Sequence, residues 1–345
     1  MSRLPPPPGL RELAEAPPVG TWREWAPGLL WLRLRLPFAL DHVNVWLLDD
    51  GDSWTVIDGG VHDAATNAVW DTVLAGPLAG RPVGRVLATH FHPDHVGQCG
   101  RLVALTGAPL LMSRLEWLYA RWLSLDLTEE FVTAGDEHYR RGGMPDALID
   151  RSHARGNAYA KGVVPPPASY QRVAAGDRLR LAGSDWEVII GEGHAPEQVT
   201  LWSPERNILI AADQILPRIS PVVGVWATDP ESDPLGDFLT SLERYRHLPE
   251  DCTVLPSHGL PFVGLHQRRE QLARHHDERL DAVLGACVEP HTAYEVLRVL
   301  FPRELDAHQT GFALAETLAH LNRLRRAGTI ERSMREDGVS LYRRT

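Results

Sequence analysis

Three imidazoles and a carboxylate crowd into six positions of this chain, His90-Phe91-His92-Pro93-Asp94-His95. So many nitrogen donors beside a hard carboxylate are costly to hold together unless a cation sits among them. Further donors of the right kind, His194, Asp213 and His258, lie far downstream, His194 and Asp213 after apolar, β-branched runs and His258 after Thr253-Val254-Leu255-Pro256-Ser257. Two metal sites can be assembled from these residues with none left over. His90, His92 and His194 make a three-imidazole site, Asp94, His95 and His258 make the other, and Asp213 is suited to bridge them. Nitrogen and carboxylate donors without a thiolate suit two zinc ions, with iron or manganese admitted by the same ligand logic. Two such divalent ions share a water and lower its pKa enough to supply hydroxide near neutral pH. Asp94 is the catalytic candidate, holding that nucleophile in line and taking its proton. Asp58, a strand-end carboxylate followed by Gly59-Gly60, is suited to orient a histidine ligand from behind.

The elements that must position these residues are legible in outline. Trp31–Leu36 alternates and reads as a half-exposed strand, Val43–Leu48 as a second, and Asp49-Asp50-Gly51-Asp52 as a hairpin turn into Trp54–Gly60. A helix over Asp63–Leu78 leads to the strand Gly84–Thr89, which delivers the histidine cluster into a strand-to-helix loop. After a short strand at Pro109–Met112 the spacing turns helical. Leu115, Leu118, Tyr119, Trp122 and Leu123 form an amphipathic face at the start of a helical insertion over about 113–165 that covers the site; its aromatics are suited to substrate contact, with core packing the commoner use. Strands return at Arg178–Leu181, Trp186–Ile190, Val199–Trp202, Ile208–Ala212 and Thr253–Ser257. Two strand-rich halves with helices between them imply an α+β sandwich of two sheets flanked by helices, with loops from both halves meeting along one edge.

Composition bounds what such a site serves. The chain has 345 residues, 43% of them hydrophobic and 23% charged, with a formal charge of -10. That balance gives no general attraction to phosphate backbones or anionic lipid. Cys99, Cys252 and Cys287 are too widely spaced for a disulfide framework and suit reduced thiols in the cytoplasm, with Cys99 a small buried residue at a helix start rather than a ligand. No apolar run approaches bilayer length and no signal peptide is evident, so no membrane is expected. The domains read as a loosely held proline-rich leader over 1–20, a catalytic unit over 21–265, and a C-terminal unit over 266–345. The last has helical patterns at Glu270–Leu284, Thr292–Leu300 and Phe312–Ala327 and a hairpin around Asp337-Gly338, which fits a winged helix. Between Pro290 and Thr345 nine arginines face seven acids. A strong phosphate binder needs a more basic face, so a module that packs on the catalytic unit or dimerises is favoured over a nucleic-acid reader.

The set His90, His92, Asp94, His95 with Asp58, His194, Asp213 and His258 in that order resembles the metallo-β-lactamase superfamily. The resemblance implies an αββα sandwich and a hydrolase. Asp213 stands where β-lactamases with a cysteine ligand carry that cysteine, which argues against antibiotic hydrolysis. His92 stands where the flavodiiron branch has an acid, which argues against oxygen reduction. Ser220–Trp226, His275-His276, Phe301–Asp306 and Ala315–Leu321 resemble the group with an appended winged helix, the β-lactamase-like protein 2 and glyoxalase II-like group. The expected function is dinuclear hydrolysis of a small ester or thioester, the alternative being an endoribonuclease on single-stranded RNA. Arg218 and Gly224–Trp226 are substrate contacts by position alone, and a homo-oligomer is compatible with the sequence.

Overall fold

Alternation within single strands sets the layering. In the strand Leu29–Arg35, Leu29 and Trp31 belong to one buried cluster, Leu32 and Leu34 to another. In its neighbour His42–Asp49, Trp46 and Leu48 share the first cluster, and Val43, Val45 and Leu47 the second. Because successive side chains leave opposite faces of a strand, a sheet built from such strands is covered on both sides. Trp31–Leu36 is therefore not half-exposed: Trp31 and Leu32 are both fully buried, and only Arg35 reaches solvent freely.

The structure, a computed structural model, describes residues 4–37 and 40–345. Two seven-stranded sheets form its centre. The first runs Trp22–Ala26, Leu29–Arg35, His42–Asp49, Trp54–Ile57, Val83–Leu87, Leu110–Met112 and Gln171–Arg172 in spatial order. The second runs Arg11–Glu12, Phe262–Val263, Thr253–Pro256, Ile208–Ala212, Gln198–Ser203, Ser184–Gly191 and Arg178–Leu181. Between them lie Trp31, Trp46, Ile57 and Leu87 from one sheet and Trp186, Val188, Val199, Leu201 and Ile210 from the other. Helices Ala64–Ala75 and Cys99–Thr106 cover the outer face of the first sheet with Trp70, Val73 and Leu102. Helices Pro234–Leu242, Leu265–Ala286 and Ala307–Arg326 cover the outer face of the second. The result is an αββα sandwich.

The proline-rich segment is held rather than loose. Arg11–Glu12 pairs with Phe262–Val263, the Leu4 amide donates to the Arg218 carbonyl, and Gln271 donates to the Pro5 carbonyl. Its first three residues lie outside the described ones. The insertion is helical as expected, with Arg114–Leu125, Glu129–Arg141, Asp146–His153 and Ala158–Lys161. Its first helix, however, leaves most of the expected apolar face outside: Leu115, Leu118 and Trp122 are exposed, and only Leu123 of that face is buried, beside Glu116, Ala120 and Ser124. At the C-terminus, helices Ala293–Leu300 and Ala307–Arg326 are followed by the hairpin Ile330–Met334 with Ser340–Arg344. This unit docks on the sandwich through ion pairs from Arg323 to Asp233 and from Arg325 and Arg332 to Glu231. Among the described residues no helix is long and apolar enough to cross a membrane.

Candidate metal centre

The strand Val83–Leu87 lies between Trp54–Ile57 and Leu110–Met112, parallel to both, so its carboxyl end opens at a sheet edge. There Pro93 starts the short helix Pro93–Val96 and fixes the turn that throws His90 and His92 to one side and Asp94 and His95 to the next. Asp58 ends the neighbouring strand with φ 66°, a left-handed conformation that costs a non-glycine residue about 1 kcal/mol or more. The cost is offset by three contacts to one carboxylate: the Thr89 amide, the Thr89 hydroxyl and His95 Nδ1, each at 2.8 Å.

Those contacts fix which ring nitrogens face inward. The single Thr89 hydroxyl proton goes to Asp58, so toward His90 Nδ1, 3.0 Å away, the Thr89 oxygen accepts. His90 Nδ1 therefore carries the proton and Nε2 presents a lone pair. His194 Nδ1 donates to the Val222 carbonyl and His258 Nδ1 to the His42 carbonyl, both at 2.7 Å, which turns each Nε2 inward as well. His92 faces the centre with Nδ1 instead. The three nitrogens of His90, His92 and His194 lie 3.0, 3.1 and 3.3 Å apart. A tetrahedral zinc with nitrogen ligands at about 2.0–2.1 Å requires donor spacings of roughly 3.3 Å. Burial and neighbouring histidines hold His90 well below its usual value, and burial beside His194 takes His92 to about 3, so both keep their lone pairs free of protons.

The second set is complementary. Asp94 Oδ2 lies 3.6 Å from His95 Nε2 and 3.4 Å from His258 Nε2. Asp213 Oδ1 lies 3.5 and 3.3 Å from the same two nitrogens, and its Oδ2 lies 3.4 Å from His194 Nε2 in the first set. One carboxylate thus addresses both. A register shift between Ile210 and Ala212, with Ala212 at φ 46°, aims it there. His95 Nε2, His258 Nε2 and Asp213 Oδ1 are buried without a hydrogen-bond partner. Orphaned groups of this kind fit a bound cation. Without one, protons take its place: burial opposes charging His258, but Asp213 and Asp94 outweigh it and lift the ring to about 10. Burial likewise works against the Asp94 carboxylate, yet His95 and His258 bring it down to about 2. Its side chain, 20% exposed, is on the open side of the centre.

All eight expected residues thus converge: Asp58 behind His95, the other seven in overlapping donor groups. Cys99 is fully buried at the start of its helix, with Sγ on the His95 carbonyl and away from the donors. Arg218 turns to Glu12 at 2.7 and 2.8 Å. Gly224 packs on Ala315, and the Val225 amide donates to the Ala315 carbonyl. Sequence reasoning missed Thr89 and the fully buried Glu116. One Glu116 oxygen accepts the Phe91 amide at 2.8 Å, the other the Glu197 amide at 2.6 Å, so this side chain clamps the His90–His92 loop to the His194 loop. Burial pushes its carboxyl up to about 8 against the pull of those amides.

The fold and this donor set define a class, and the chain belongs to the metallo-beta-lactamase superfamily, whose family model matches residues 39–258. A second model, the metallo-beta-lactamase-like C-terminal domain, matches residues 280–345. The chain is similar to a beta-lactamase domain protein from Burkholderia ambifaria, 38% identical with a TM-score of 0.90 over 99% of this chain and 98% of that one. It is also similar to a metallo-beta-lactamase family protein from Thermus thermophilus, 31% identical with a TM-score of 0.80 over 93% and 100%. The hydroxyacylglutathione hydrolase of Pseudomonas aeruginosa is 31% identical over 150 residues, 42% of this chain and 50% of that protein. Alignments with an uncharacterized protein of Aquifex aeolicus and the lactamase-like protein adaB of Aspergillus niger span 66% and 59% of those proteins, under two thirds of either. Members of the superfamily are mostly hydrolases and usually bind divalent metals.

Proposed function

We infer that this chain is a metal-dependent hydrolase that holds two divalent ions, zinc by the chemistry of its donors, and cleaves a small acyl ester or thioester. The observation that carries this reading is the Asp213 carboxylate, whose two oxygens face two separate donor sets. His90, His92 and His194 would hold one ion and Asp94, His95 and His258 the other, with Asp213 presenting an oxygen to each set. When bound, such ions would polarise the acyl oxygen and lower the pKa of a water at the centre. Asp94, ionised and on the open side, orients that water and accepts its proton. The water oxygen bonds to the acyl carbon, the bond from that carbon to the leaving oxygen or sulfur breaks, and the electron pair leaves with it. Asp94 then returns the proton to the leaving group. Asp58 keeps the His95 ring turned inward throughout.

The resemblance to a hydrolase named for hydroxyacylglutathione supports the acyl reading. The C-terminal unit, winged-helix-like when Leu265–Ala286 is counted with its two later helices and hairpin, spends Arg323, Arg325 and Arg332 on Asp233 and Glu231. Arginines committed to the sandwich are not available to a phosphate backbone, which favours a small molecule over RNA. Three buried free cysteines support a reducing, cytoplasmic setting. Zinc-loaded protein should turn over an acyl thioester, and His90→Ala or Asp94→Ala should abolish it. Unaltered rates in those variants, or cleavage of single-stranded RNA in place of acyl substrates, would overturn the reading.

A further inference from the structure

The helix Arg114–Leu125 is packed the wrong way round for its composition. It buries Glu116, Ala120, Leu123 and Ser124, and leaves Leu115, Leu118, Trp122 and Leu125 exposed by 37, 46, 43 and 53%. Steps of three, four and three residues place those four on one stripe, and Leu127, two residues past the helix, is 75% exposed. Together they equal about two and a half fully exposed large apolar side chains, roughly 400 Å² of surface. A patch of that size matches the largest on a typical monomer, and such patches are often functional.

The patch is joined to the candidate metal centre through packed, half-buried rings. The His92 ring lies 4.5 Å from Phe91, Phe91 lies 5.4 Å from Tyr119, Tyr119 6.0 Å from Trp122, and Trp122 6.4 Å from Phe131. A ladder of rings therefore runs from a metal donor out onto the stripe. A stable interface between two copies needs about 800 Å² per partner, twice what the stripe offers. An occupant that starts at the centre and needs only a narrow apolar track is a hydrocarbon chain.

We propose that the stripe Leu115, Leu118, Trp122 and Leu125 is an acyl-chain subsite, taking the medium-length linear tail of a substrate whose carbonyl group sits at the His92 end. This rests on the hydrolase reading above and names its substrate class. Each methylene laid on an apolar surface raises affinity by up to about fourfold, less where one side stays wet.

The test uses zinc-loaded full-length protein with sodium butyrate and sodium decanoate, titrated calorimetrically, and the matching p-nitrophenyl esters. Decanoate should bind at least tenfold tighter than butyrate, and Trp122→Ala or Leu118→Ala should collapse that ratio. Leu105→Ala, which removes a 56% exposed leucine from a different helix, should leave it intact. Equal affinity for the two acids, or a ratio untouched by both stripe variants, overturns the proposal. So does a dimer in sedimentation that Trp122→Ala dissociates. If the binding preference holds but no ester or thioester of any length is hydrolysed, the apolar subsite stands and the hydrolase reading falls.

Discussion

Replacing Glu116 with glutamine isolates the clamp between the two donor loops. In the wild type both carboxylate oxygens accept, one from the Phe91 amide and one from the Glu197 amide. Glutamine has one acceptor oxygen, and its NH2 group meets the other amide donor to donor. One buried N–H is left unpaired, at a cost of about 1–3 kcal/mol. For a chain of 345 residues that lowers the thermal midpoint by roughly 1–4 °C. The pH dependence carries the sharper signal. Burial lifts the folded carboxyl to about 8 from an ordinary 4.5, so between those values the folded state holds a proton that the unfolded chain releases. Wild-type stability on this account is fully present below about 4.5 and falls as pH rises through about 8, by a few kcal/mol in order of magnitude. Glutamine does not titrate. In chelator-treated protein the midpoint gap between wild type and Glu116→Gln should be widest near pH 5 and shrink toward pH 8. A gap that is absent, or constant across that range, would refute the reasoning.

Other consequences can be checked directly. Asp58→Asn leaves one acceptor oxygen for the Thr89 amide, the Thr89 hydroxyl and His95 Nδ1–H, and by loosening that ring should weaken zinc binding by about 10–100-fold, read by competition with a chromophoric chelator. Because His258 holds its proton up to about 10 in the metal-free protein, zinc affinity should climb with pH between 6 and 9 and binding should release protons, measurable in buffers of different ionisation enthalpy. Zinc at a hundred times its dissociation constant should add about 2.7 kcal/mol of stability, lost on chelation. Gly193→Ala should yield little folded protein, since a Cβ there would sit 2.3 Å from the Pro234 carbonyl with φ at 93°; solubility and circular dichroism report it.

The donor set was legible because four of its members are nearly consecutive and the rest follow strand-like segments, where a sheet edge gathers them whatever the loop lengths. Thr89 was hidden by its ordinariness: only the count of its one hydroxyl proton between Asp58 and His90 shows its role. Glu116 was hidden by periodicity, since the apolar spacing of Leu115, Leu118 and Trp122 names the opposite helix face as the buried one. The two-residue edge strands Arg11–Glu12 and Gln171–Arg172 are too short to carry a pattern. Helix Pro234–Leu242 did leave a mark, Asp233 as cap and Pro234 at the first turn, which the surrounding turn-rich sequence obscures.

Each donor trio borrows from both sheets. His90 and His92 come from the first half of the chain and His194 from the second; Asp94 and His95 come from the first and His258 from the second, with Asn44 of the first sheet gripping the carbonyls of Pro256 and Gly259 beside it. An ion seated in either trio acts as a rivet through the sandwich, so metal loss should loosen the seam between the halves before it melts either one. Neither half expressed alone can assemble a complete trio.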